Sequence, residues 1–398
     1  MQAGGQEFDP PRLHSASITR RTNDQRPTRY IYGVRRLPSL IIISILSLNI
    51  LSPSYFSNAA NTKAAASDTK LVLVKTITGN LSPKSVTSSN TGLISAQNMM
   101  YQHSVTIYDS TTLKLIATIP DSVDLSTYGY SKTPGVYRGA PVEGAYSSDG
   151  KFLYVTNYAM YGSGYNHEGH DVCSPASHFD PSFLYRINLS TLKIDDIYPV
   201  GTVPKGIAVA PDNSYVLVSN WCSYNLSVIQ ISSHKTVKTI KVGAYPRGIA
   251  ISADSSRAYI AQMGGRQIQV LNLADFTMTS IPIGSNPRAI ALSPDGKFLY
   301  ATLNLSGKVV SWNLETNKPG ASIQTGKNAR SLAISGDGSA LYVTNFLSGT
   351  VSKIRSSDMA LIQTIKVCKE PIGVTYDIPT SRTWVACYEG SIKVFDNK

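Results

Sequence analysis

Five basic residues in this 398-residue chain recur in one local setting and at one interval. Lys205, Arg247, Arg288 and Arg330 lie 42, 41 and 42 residues apart, each after Pro or Ala and before a small residue and an aliphatic one. Lys84 has the same neighbours, Pro83 before it and Ser85-Val86 after it. Cations gathered in this way suit an anion such as a carboxylate, phosphate or acidic sugar, because arginine presents a planar donor fork. At a spacing of roughly 10 Å they repel by about 0.4 kcal/mol per pair in water. Two arrangements offset that cost: an anionic ligand, or backbone carbonyls and carboxylates of neighbouring segments acting as a repeated structural device. Trp221, Tyr245, Phe346 and Tyr388 fall near the same positions. Aromatic rings there either stack on a sugar or partner, or cover the ends of strands.

A second chemically loaded stretch runs from Tyr158 to Pro181, YAMYGSGYNHEGHDVCSPASHFDP. It holds His167, His170 and His178 beside Glu168, Asp171 and Asp180, and His103 lies in the corresponding loop one unit earlier. His-x-x-His-Asp with a further histidine can bind zinc or copper, although it matches no established ligand spacing. The alternative is a solvated loop with ordinary polar histidines. Four cysteines complete the set, with Cys173 in the same stretch and Cys222, Cys368 and Cys387 elsewhere.

The elements that must position these residues are legible from the repeat. AYPRGIAISADSSRAYIAQ (244–262) returns as VPKGIAVAPDNSYVLVSN (203–220), NPRAIALSPDGKFLYATL (286–303) and NARSLAISGDGSALYVTN (328–345). A period of about 42 filled with short alternating strands and Asp-Gly turns is the pattern of a β-propeller blade. Gly150, Gly296 and Gly338 supply the positive φ of the hairpins, and Asp149, Asp212, Asp254, Asp295 and Asp337 cap them. Counting blades from Lys84 gives seven. The last has only IGVTYD (372–377), RTWVACY (382–388) and SIKVFD (391–396), and KLVLVKTITG (70–79) matches the strand it lacks. The N-terminal strand is therefore expected to complete the last blade and remove an open sheet edge.

In a propeller the first strand of each blade lines the central channel, and its start shares a face with the loop joining strands two and three. The five cations would thus ring the channel mouth, with Val142 and Ile372 breaking the ring in blades 2 and 7. The gap beside the insertion is where a ligand is expected first, since function on a repeat scaffold sits where the repeat is broken. The same geometry brings Cys173 towards Cys222 and Cys368 towards Cys387, which predicts two disulfides in an exported protein.

With YVTN at 154–157 and again at 342–345, Pro-Arg-Gly before the inner strand and Pro-Asp-Gly at the first turn, the chain resembles the YVTN family of seven-bladed propellers. The resemblance covers about residues 69 to 398. It implies the fold, exported or surface location, and a shape similar to propeller lactonases, with Glu143, Glu168, Asp171 and Glu370 as carboxylates for a lactonase-like metal site.

No G-x-S-x-G elbow, CxxC pair or phosphate loop is present. Residues 1–66 are Arg-rich and then apolar at Leu37–Leu51, which reads as an export signal or an uncleaved N-terminal anchor with a linker. Small-residue exits stand at SNA (57–59) and AAA (64–66). Asn80, Asn188, Asn225 and Asn304 open N-x-Ser sites. The leader also carries eight basic and three acidic residues, so the net charge of +12 falls to +7 without it, below the density of a dedicated nucleic-acid binder.

The expectation is an all-β, seven-bladed β-propeller of four-stranded blades over residues 67–398, monomeric, outside the cytoplasm and without a cofactor. It would bind an anionic small molecule, a glycan or a surface protein through Lys84, Lys205, Arg247, Arg288, Arg330, Trp221 and Tyr388. A metal-dependent lactonase-like hydrolase or lyase with zinc or copper at His167, His170 and His178 is the alternative. Nucleic-acid binding at the basic mouth is a third reading. Membrane contact would come only through an uncleaved N-terminal segment.

Overall fold

The computed structural model describes residues 64–398, which form one compact unit. The expected export segment lies outside the described residues. Seven four-stranded antiparallel sheets follow one another along the chain, and their inner strands touch in a closed ring. The inner strands are Pro83–Ser88, Pro141–Tyr146, Pro204–Val209, Pro246–Ile251, Pro287–Leu292, Ala329–Ile334 and Pro371–Asp377. The chain is a seven-bladed β-propeller.

Closure follows the expected route. In the last blade Leu71–Thr78 lies outermost, pairing antiparallel with Ser391–Asn397 from Leu71 opposite Asn397 to Thr78 opposite Ser391. This puts the first and last strands of the described residues in one sheet and leaves no unpaired edge at the join.

The apolar core is divided among the seams between blades. Trp384 and Val394 of blade 7 pack with Ile94 and Tyr108 of blade 1, and Ile268 of blade 4 packs with Leu299 of blade 5. Each sheet buries one face against the next, so alternating aliphatic and aromatic residues are needed on every strand. At the first hairpin of a blade, Asp149 Oδ1 accepts from Ser147 Oγ and the Lys151 amide, while Gly150 takes φ 69°. Where glycine is missing, Asn213 and Ser255 adopt the same left-handed conformation.

Both interruptions of the repeat are folded. The link before blade 2 forms a small ribbon, Ser122–Val123 with Tyr137–Arg138, and Leu125 and Tyr137 pack with Phe183 and Tyr185. The insertion packs Cys173 against Val203, Trp221, Cys222 and Met263.

Candidate anion site at the channel mouth

Each inner strand leaves its ladder just after its first residue. In blade 4, Pro246 pairs with Gln262 but the next pair is Ile249 with Ile260, so one extra residue is accommodated. The same irregularity stands at the start of the other six inner strands. A bulge bends the strand and re-aims the side chain within it. The basic residues sit in these bulges, which is how a period-two strand presents a cation at the channel mouth and aliphatic residues below it.

Lys84, Arg247, Arg288 and Arg330 line a cavity of about 230 Å³ at the ring's axis, together with Glu143. The wall beneath is mixed. Ile207, Ile249, Ile290 and Leu332 alternate with the hydroxyls of Ser85, Thr87, Ser331 and Thr375. Lys205 stands to one side. Its Nζ lies 2.5 Å from Asp171 Oδ1 and over the rings of Trp221 at 4.1 Å and Tyr158 at 5.5 Å.

A second ring, of soft and aromatic groups, surrounds the cations. Lys84 lies 5.3 Å from the Tyr388 ring centroid and Arg330 lies 4.3 Å from that of Phe346. Arg288 Nη1 points at Met263 Sδ, 3.6 Å away. Tyr158, Trp221, Met263, Phe346 and Tyr388 all occupy one position, the residue directly after the second strand of a blade. Trp221 and Tyr388 are thus supports for the cations, whereas Tyr158 and Met263 escape a reading of single loops. Aligning that position across the blades would have found them.

The gap in the ring at blade 2 is filled. Val142 is fully buried and turned away, but Glu143, one residue on, places Oε1 2.7 Å from Arg247 Nη1 two blades away. The equivalent positions in other blades are Ser85, Gly206, Gly248, Ala289, Ser331 and Gly373. They are small because inner strands approach closely there: a Cβ at Gly206 would lie 1.8 Å from the Arg247 carbonyl oxygen. Glu143 alone carries a long side chain at this position.

The cations are incompletely compensated. Arg247 is 7 % exposed; its Nη1 pairs with Glu143 Oε1 at 2.7 Å, while Nε finds no hydrogen-bond partner among the described residues. For Arg288, 9 % exposed, the Met263 thioether is the sole acceptor among them. Burial and the neighbouring Arg330 and Arg247 guanidiniums disfavour the charged form of Arg288. Burial, with Arg330 next, also holds Lys84 well below the ordinary lysine range. Lys205 is pulled down to about 8 by burial, with Asp171 opposing and Arg247 and Arg288 reinforcing the shift. Asp171 is held below the carboxylate range, because Lys205 and Lys84 outweigh the effect of burial. Buried like charges left in this state cost free energy that an anion would recover.

The insertion reaches the mouth through Asp171. Cys173 is bonded to Cys222, and the Tyr224 and Tyr245 hydroxyls each donate to the Cys173 carbonyl at 2.8 Å. Trp221 Nε1 donates to the Asp171 carbonyl at 3.0 Å. Cys368 is bonded to Cys387, and no free cysteine remains among the described residues. The histidines are held apart. His170 packs edge-on against Phe179, the His167 amide donates to Asp180, and His178 caps a short 3-10 turn. Among the described residues the sole group of three ligand-type side chains is Cys368, Cys387 and Glu389, whose sulfurs are in a disulfide.

Comparison with known proteins agrees on the architecture. A family profile described as a YNCE-like beta-propeller matches residues 176–258. The chain resembles these propellers. No curated protein matches it. Among solved structures, Kuenenia stuttgartiensis hydrazine synthase aligns with TM-score 0.62 and 18% identity, over 80% of this chain and 96% of that one. At such identity the likeness concerns the fold alone.

Proposed function

We propose that this protein is a non-enzymatic, extracytoplasmic propeller that binds a small anionic ligand at its channel mouth. The observation that carries the reading is the pair Arg247 and Arg288: two guanidiniums, each more than nine-tenths buried, one with an unpartnered Nε beside a single carboxylate contact and the other facing a thioether. A purely structural ring would be expected to satisfy its donors with backbone carbonyls, as buried polar groups generally do. Two disulfides without a free cysteine support a location outside the cytoplasm, and no described helix is long and apolar enough to cross a membrane.

The test is titration calorimetry with a panel of small anions, on the native protein and on Arg247→Ala/Arg288→Ala. The native protein should bind at least one anion, and the double variant should lose that binding while keeping its circular dichroism and melting transition. A double variant that fails to fold would make the ring structural and remove the site.

A further inference from the structure

We infer that the ligand is a small organic polycarboxylate, and that one of its carboxylates takes the place Asp171 holds on Lys205. This rests on the channel mouth being an anion site, and narrows it to one chemical class. Lys205 and Arg247 each have a carboxylate, Asp171 and Glu143, whereas Lys84 and Arg288 have no ion pair with one among the described residues, so charging both calls for further negative charge. Both counter-ions that the mouth already holds are carboxylates.

Size and wall exclude the other anions. At about 230 Å³ the cavity falls below the roughly 300–1,000 Å³ of drug-sized sites, so a nucleic acid or extended glycan cannot enter it. A chain of about four to six carbons fits that volume and spreads its carboxylates over several blades, which a single inorganic oxyanion does not.

Asp171 is the internal competitor. Its Oδ1 accepts from both Lys205 Nζ and the Tyr158 hydroxyl, yet the side chain is 51 % exposed and comes from the insertion, not from a blade. A ligand carboxylate arriving from solvent meets Lys205 there. The exchange leaves Lys205 paired throughout, and returns Asp171 to water on a loop that Cys173–Cys222 keeps close by.

The experiment is calorimetry at constant ionic strength with citrate, succinate, inorganic phosphate and sulfate. Citrate should bind about tenfold or more tightly than phosphate or sulfate. Asp171→Asn should tighten citrate by about threefold to tenfold, because the competitor is neutralised. Arg288→Lys, which keeps the charge and loses the fork, should weaken citrate more than phosphate. Phosphate or sulfate binding as tightly as citrate would overturn the polycarboxylate assignment while leaving an anion site standing. No binding of any of the four would sink both. Unchanged or weaker citrate binding in Asp171→Asn would show that Asp171 is not displaced.

Discussion

Two of the places where the described residues bury cations treat them differently. At the join between the first and last strands, Lys353 is fully buried, and its Nζ donates to the Thr69 carbonyl at 2.7 Å, the Thr69 hydroxyl at 2.8 Å and Asn397 Oδ1 at 3.0 Å. Three donors meet three acceptors, contributed by the residues flanking the closing strand and the last strand. At the channel mouth, Arg247 keeps an unpartnered Nε beside one carboxylate contact and Arg288 faces a sulfur. The charge is the same and so is the burial. What differs is the supply of acceptors, and the proposed anion site rests on that difference.

The most disruptive way to probe this contrast is to release the insertion. Cys173–Cys222 spans 49 residues in sequence, and the chain-entropy model values such a crosslink at about 4 kcal/mol. Cys173→Ala/Cys222→Ala should lower unfolding stability by up to about that amount and expose the 158–181 segment to protease before the blades are cut. Uniform cleavage across the chain would mean that the insertion is part of the propeller's core.

Lys353→Met comes next. It strands the Thr69 carbonyl at a buried join, while Asn397 Oδ1 keeps the Tyr342 hydroxyl, so chemical denaturation should show a loss of about 1 to 3 kcal/mol, with anion affinity unchanged. Arg288→Met should act in the opposite sense. Removing an incompletely compensated buried charge is expected to raise stability by about 1 to 2 kcal/mol while binding is lost. If Arg288→Met instead destabilised the protein as much as Lys353→Met, the two regions would not differ in kind.

The sequence made one half of this contrast plain and hid the other. The blades, the closing strand and the place of the cations are written at a fixed period, because every blade must pack in the same way. Partnerships that cross between blades carry no such period. Glu143 answers Arg247 from two blades away, Met263 meets the Arg288 of the next blade, and Asp171 reaches Lys205 from an insertion. Lys353 left a trace that alignment of the third strands would have caught. It stands where Ile107, Val228, Val270 and Val394 stand in four other blades, with Arg186 and Ser311 at the same place in blades 2 and 5. The fold was legible because repetition is a local signal. The site was only half legible because its compensation depends on which blade lies next to which.

The smallest expected effect separates the two regions by pH. Burial pulls both Lys205 and Lys353 down to about 8, against roughly 10.4 in an unfolded chain. Between those values the unfolded state binds more protons than the folded one, so stability should rise with pH through this window. Below about 8 both lysines are charged in either state, and the full cost of burying them is present. The rise is readable up to about pH 9.5. Above that, tyrosines ionise more readily in the unfolded chain than in the fold, where burial raises residues such as Tyr146 and Tyr158, and the curve turns down. Lys84, also held low by burial, adds to the same rise, so Lys353→Met and Lys205→Met should each remove only part of the slope. Saturating citrate should remove the Lys205 share, because a bound carboxylate holds that ammonium charged. Lys353→Met should therefore show a smaller slope with citrate than without it, and citrate should change the slope of Lys205→Met less than that of the native protein. A citrate effect that persisted in full in Lys205→Met would place the ligand's contact elsewhere in the ring.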